Sequence, residues 1–201
     1  MTLVLFLLPL ALYVLNSLGL YTIAKRRGLG SPWLAWLPFG NAWMLGCISD
    51  QYRYSVKKKK SCSRHVLLWL EVATAIATLI ASAVSVTMFV DMFVELGLDA
   101  YADINSMDLV TLLTAFGELG GKISAVMSVV YIISLVNSVF VYISTFNLYK
   151  AHNPDNAVLL LVLSIIFGFM RSVFVFFCRE EDRGMLEQEE TVDPWQYPPQ
   201  Q

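Results

Sequence analysis

The chain has 201 residues, 57% of them hydrophobic and 15% charged, with a formal net charge of −2 and a mean hydropathy of +0.60. Soluble domains carry about a quarter charged residues, so this composition excludes an ordinary soluble globular domain, and the apolar blocks leave no length for a separate one. The charges are also segregated: nine of fourteen Lys and Arg lie between Lys25 and Arg64, where Asp50 is the only acid, whereas Asp91 to Glu118 holds six acids and no base. Such blocks mark opposite sides of a membrane.

Thr2 to Ala24 is uncharged and long enough to cross a hydrocarbon core about 30 Å thick. Lys25-Arg26-Arg27 follows it and no base precedes it, which argues against a cleaved signal peptide. That order predicts an outside N-terminus and a cytoplasmic basic loop over 25–65 in a cell membrane. The next apolar segment, 32–49, carries Trp33, Trp36 and Trp43 and is interrupted by Pro38, Gly40 and Gly46. Ser31-Pro32 reads as a helix start. Basic clusters flank both ends, so a crossing would place one of them outside. The pattern predicts an interfacial or re-entrant helix instead.

A second span is expected over about 68–92, around the uncharged run Val72 to Val90. Ala73, Ala77, Ala81 and Ser85 recur every four residues, a ridge of small side chains that lets a helix approach closely. It serves either packing within the chain or self-association. The short stretch Leu109 to Phe116 is too brief to cross, and Gly117, Gly120 and Gly121 are expected to break the chain before a third span, about 122–149. There Ser124, Ser128, Tyr131, Ser134, Ser138, Tyr142, Thr145 and Tyr149 share one face, which should look inward at helices or water.

After the Asn153-Pro154-Asp155-Asn156 turn, 157–178 is expected as the fourth span. Its one charge, Arg171, lies about 21 Å along the helix, where it either snorkels to the outer surface or pairs with Asp91 or Glu95. The acidic, Pro-rich stretch 179–201 reads as a disordered tail. The expected architecture is therefore all-α: a polytopic membrane helix bundle of four transmembrane helices plus one Trp-rich interfacial or re-entrant helix.

No HExxH, GxSxG, P-loop or Gly-rich dinucleotide turn is present. Cys47, Cys62 and Cys178 form no CxxC and have no histidine at metal spacing, so neither metal nor cofactor is expected. Glu118 and Lys122, one turn apart, read as a surface pair. Glu71 is either an interfacial anchor paired with a base or the start of a polar path with the hydroxyl face of the third span. Lys57, Lys58, Lys59 and Lys60, beside an apolar helix, are matched to anionic lipid headgroups rather than nucleic acid.

Trp33-Leu34-Ala35-Trp36-Leu37-Pro38, followed by Asn41 and Leu45-Gly46, resembles a segment of small multi-pass bacterial membrane proteins of uncharacterised activity. Leu148-Tyr149-Lys150, Asn153-Pro154 and Asn156-Ala157-Val158-Leu159 resemble the entry to the last hairpin in the same group. The resemblance implies bacterial origin and membrane class, and carries no catalytic residue. Three functions follow as expectations: a non-catalytic accessory or interaction protein with itself or another membrane protein as partner, a small-solute or ion transporter using Glu71 and the hydroxyl face, and a membrane enzyme without a readable motif.

Overall fold

A computed structural model of the protein describes residues 2–58, 61–95 and 109–180. Among the described residues the fold is all-α, with six helices: α1 (Thr2–Arg26), α2 (Pro38–Lys57), α3 (Ser63–Glu95), α4 (Leu109–His152), α5 (Ala157–Ile166) and α6 (Met170–Phe177), plus a 3-10 turn at Pro32–Trp36. Three are long and apolar enough to cross a membrane, over Leu7–Arg26, Ser63–Val94 and Leu113–His152. The described residues divide into two compact units, one within 2–69 and 138–180 and the other within 70–95 and 109–137.

In the first unit α1 packs against α6, the 3-10 turn and α2. Its core joins Leu20, Ile23, Met44, Ile48, Leu67, Leu148, Tyr149 and Val175. Gly19 lets α1 and α6 approach closely: a Cβ there would lie 2.7 Å from the Val175 carbonyl oxygen. Lys25 and Arg26 in the last turn of α1 complement the negative end of its dipole.

The expected helix over 32–49 is not one helix. Its first turn is 3-10, the chain extends at Leu37 (φ −90°, ψ 143°), and α2 starts afresh at Pro38 and continues to Lys57. Proline explains this, because its ring pushes the preceding residue out of the helical region and then suits the first helical position. Ser31 precedes the turn in a left-handed conformation and makes no side-chain cap. Lys58 closes α2 in the left-handed region, with its N–H bonded back to the last turn.

Asp50 holds the next corner. Its Oδ1 accepts the Ser63 N–H at 2.9 Å and its Oδ2 the Arg64 N–H at 3.2 Å, so a side chain of α2 caps α3. One turn earlier, Gly46 admits the start of α3, since a Cβ would lie 2.4 Å from Arg64 Cα. A turn earlier again, Trp43 meets the His65 ring edge-on at 5.0 Å and the Arg64 guanidinium at 5.7 Å.

The second unit contains residues 70–95 of α3 and 109–137 of α4. The expected break at Gly117, Gly120 and Gly121 does not occur, and Leu109 to Phe116 belongs to the same 44-residue helix. Each glycine costs about 1 kcal/mol relative to alanine in a helix, less than orphaning backbone groups in apolar surroundings. Open space surrounds all three. At 1.5 Å per residue α4 is about 66 Å long.

The expected continuous helix over 157–178 is likewise two, α5 and α6, separated at Phe167–Phe169. Gly168 and the φ −114°, ψ 86° backbone of Phe167 end the first. The tail from 181 on and the acidic positions Asp99, Asp103 and Asp108 lie outside the described residues.

Candidate functional site

In the first unit, several buried or half-buried polar side chains bond to one another or to main-chain carbonyls. Asn41, in the first turn of α2, accepts from Asn16 Nδ2 at 3.0 Å. Its own amide nitrogen donates to the Ala35 carbonyl at 3.1 Å and to Ser17 Oγ at 3.4 Å. One side chain thereby joins α1, the 3-10 turn and α2. Tyr13 adds a hydroxyl bond to the Trp36 carbonyl at 2.7 Å. Deeper in α2, Ser49 Oγ accepts from Asn147 Nδ2 of α4 at 2.8 Å.

The broken last segment is tied down by tyrosines. Ser164 Oγ donates to the Leu160 carbonyl at 2.7 Å. A hydroxyl has one proton, so in the 2.8 Å contact between Tyr149 and Ser164 the tyrosine is the donor. Tyr142 donates to the Ser164 carbonyl at 3.3 Å, supplying a partner to one of the carbonyls that α5 leaves open where it ends.

The hydroxyl face of α4 is thus inward-facing over only part of its length. Thr145 and Tyr149 are buried and Tyr142 is half-buried, but Ser124, Ser128, Tyr131 and Ser138 are exposed, with Ser134 half-buried. Ser124 and Ser128 donate to the carbonyls of Gly121 and Ala125 in their own helix, which is how hydroxyls satisfy themselves without a neighbour.

In the second unit, Glu71 accepts a 2.7 Å hydrogen bond from Asn137 Nδ2. Its pairing is therefore with an amide on α4. Asn137 is buried, and its Oδ1 finds no hydrogen-bond partner. Ser134 belongs to this unit, whereas Ser138 and Tyr142 belong to the first. Along the small-residue ridge Ala81 is buried, Ala77 and Ser85 are half-buried and Ala73 is exposed, so the chain covers part of the ridge itself. Glu118 and Lys122 form the expected pair at 3.1 Å and border a cleft of about 280 Å³ with Asp91, Met88 and Met92.

Arg171 sits half-buried in the first turn of α6, in the first unit, while Asp91 lies in the second. The Glu95 side chain is outside the described residues, as are those of Lys57, Lys59 and Lys60; Lys58 is exposed. Of the thiols, Cys62 is exposed, Cys178 buried and Cys47 half-buried. Burial pushes the Cys47 thiol up, against the opposing pull of the Arg64 guanidinium. Among the described residues no three His, Cys, Asp or Glu side chains gather as metal ligands would.

Sequence reasoning gave no bonding role to Asn16, Asn41, Ser49, Asn137, Asn147 or Ser164, Asn41 entering only through the resemblance. The signal was available: an amide inside an uncharged, spanning-length run has no solvent to bond, so it needs a protein partner. No family model matches the chain, and no match is found among curated proteins or solved structures.

Proposed function

We propose that the protein is a multi-pass cell-membrane protein of the non-catalytic accessory kind, working through contacts with itself or another membrane protein. The carrying observation is the exposed surface of the long helices. Ile76, Leu79, Ile80 and Val86 of α3, with Val129, Ile132, Leu135 and Val139 of α4, are all exposed. Leaving each such side chain in water forgoes about 1.5–3 kcal/mol of burial; a bilayer removes that penalty. The polar seam supports an accessory role, since its side chains are engaged with one another and with backbone.

In this reading the chain crosses four times, the last crossing being the articulated α5–α6 pair, with α2 lying at the cytoplasmic interface. The N-terminus is outside, and the basic stretch meets anionic headgroups. The likeness of the Trp33–Gly46 segment to small multi-pass bacterial proteins accords with this. An alternative use, small-solute or ion transport, draws on the Glu71–Asn137 pair, a carboxylate and an amide facing each other between two apolar helices.

The test is crosslinking in native membranes from Ala73→Cys, at the exposed end of the ridge. The expected product is a discrete adduct with a second copy or one membrane partner, weakened by Ala77→Leu. A monomer without adducts would refute the interaction reading. Flux in proteoliposomes that is abolished by Glu71→Gln would replace it with transport.

A further inference from the structure

We infer that the groove beside Trp43 holds one acyl chain of an anionic phospholipid, with the phosphate on the Arg64 guanidinium. This rests on the membrane reading above and narrows it to one site. The groove measures about 470 Å³ and is lined by Leu34, Leu37, Pro38, Phe39, Trp43 and Leu68, with Gly40 at its floor and no polar surface. It exists because the chain extends at Leu37 and lets the 3-10 turn and α2 diverge. Gly40 keeps them close, for a Cβ there would lie 2.2 Å from the Leu34 carbonyl oxygen.

The wholly apolar lining selects the occupant. A peptide strand in this groove would leave its N–H and C=O groups without partners, whereas an acyl chain has none to satisfy. The headgroup follows from charge. Arg64 is exposed, stands 5.7 Å from the centroid of the Trp43 wall, and lies one helical turn before Leu68 on the other wall. Asp50, the one acid between Lys25 and Arg64, has both oxygens on the main-chain N–H groups of Ser63 and Arg64. The planar guanidinium suits a phosphate diester, and its contact with the indole holds it beside the Trp43 wall.

The site predicts selective quenching. The full chain carrying Trp33→Phe, Trp36→Phe, Trp69→Phe and Trp195→Phe leaves Trp43 as the only indole. It is reconstituted in phosphatidylcholine vesicles doped with acyl-brominated phosphatidylglycerol or acyl-brominated phosphatidylcholine. The expected result is half-maximal quenching by the brominated glycerol lipid at a mole fraction several-fold lower than for the choline lipid. Arg64→Gln should erase that difference, and Arg64→Lys should retain part of it. Equal quenching of the single-Trp protein by both lipids would overturn the anionic site while leaving the membrane reading intact. A glycerol-lipid preference that survives Arg64→Gln would overturn the role of Arg64. No quenching by either lipid would remove α2 from the bilayer surface and overturn both. The two-lipid comparison decides even where Arg64→Gln fails to fold.

Discussion

Replacing Asp50 tests how α3 is begun. Both carboxylate oxygens receive main-chain N–H groups, from Ser63 at 2.9 Å and Arg64 at 3.2 Å. A helix cap contributes about 1 kcal/mol, and hydrogen bonds to a charged acceptor about 1.5–3 kcal/mol. Asp50 is half-buried, so water recovers part of this, and Asp50→Ala is expected to cost about 1.5–3 kcal/mol. Asp50→Asn keeps one acceptor oxygen and loses the charge opposite the helix dipole, at about half that cost. At about 2–4 °C per kcal/mol for a chain of this size, thermal unfolding in detergent should fall by roughly 3–12 °C for alanine and less for asparagine. Hydrogen exchange localises the effect, because the amides at 63 and 64 should lose protection first. Unchanged protection there, or equal melting of all three proteins, would refute the capping argument.

Asn41→Ala removes three hydrogen bonds and strands the Asn16 amide; at about 0.6 kcal/mol per bond between membrane helices the loss is about 2 kcal/mol, read as a lower melting temperature, and an unchanged one counts against the seam. Gly46→Ala pushes a methyl group into the Arg64 backbone and is expected to cost about 1–3 kcal/mol, with faster exchange at the start of α3 as the signature. Alkylation in detergent at neutral pH should modify Cys62 well before Cys47, whose rate should gain only as the pH rises beyond the ordinary thiol range. Arg64→Gln should slow Cys47 further, since the guanidinium favours its thiolate; equal rates at Cys47 and Cys62 would contradict this. On intact cells an impermeant thiol reagent should spare Cys62, and labelling there would reverse the orientation.

The helical character and the long apolar segments were legible because they depend on composition summed over twenty residues, where single exceptions are averaged out. The interruptions were legible only where chemistry is local. Pro38 restarts a helix for reasons contained in its ring, yet Ser31-Pro32 already supplies a start signal six residues earlier, and the 3-10 turn between them leaves no periodic mark. Gly168 ends α5 while Gly117, Gly120 and Gly121 pass unnoticed inside α4. A glycine permits a break without requiring one, and the surroundings decide. The hydroxyl face of α4 misled for a related reason: a serine in a helix can bond its own backbone, so a row of hydroxyls does not specify a neighbour. Asn41, by contrast, has an amide with both a donor and an acceptor to satisfy, and it collects partners from 6, 24 and 25 residues away.

The near contact of Gly19 with Val175 has a consequence for biogenesis. The first helix emerges from the ribosome long before the surface it is shaped to fit. At about 5–20 residues per second, roughly ten to thirty seconds separate the synthesis of the two faces. During that interval α1 must wait with the flat side of Gly19 and the amide of Asn16 uncovered, the latter until Asn41 arrives. The interval is set by the length of chain between the two faces, and slower translation between α2 and α6 would lengthen it.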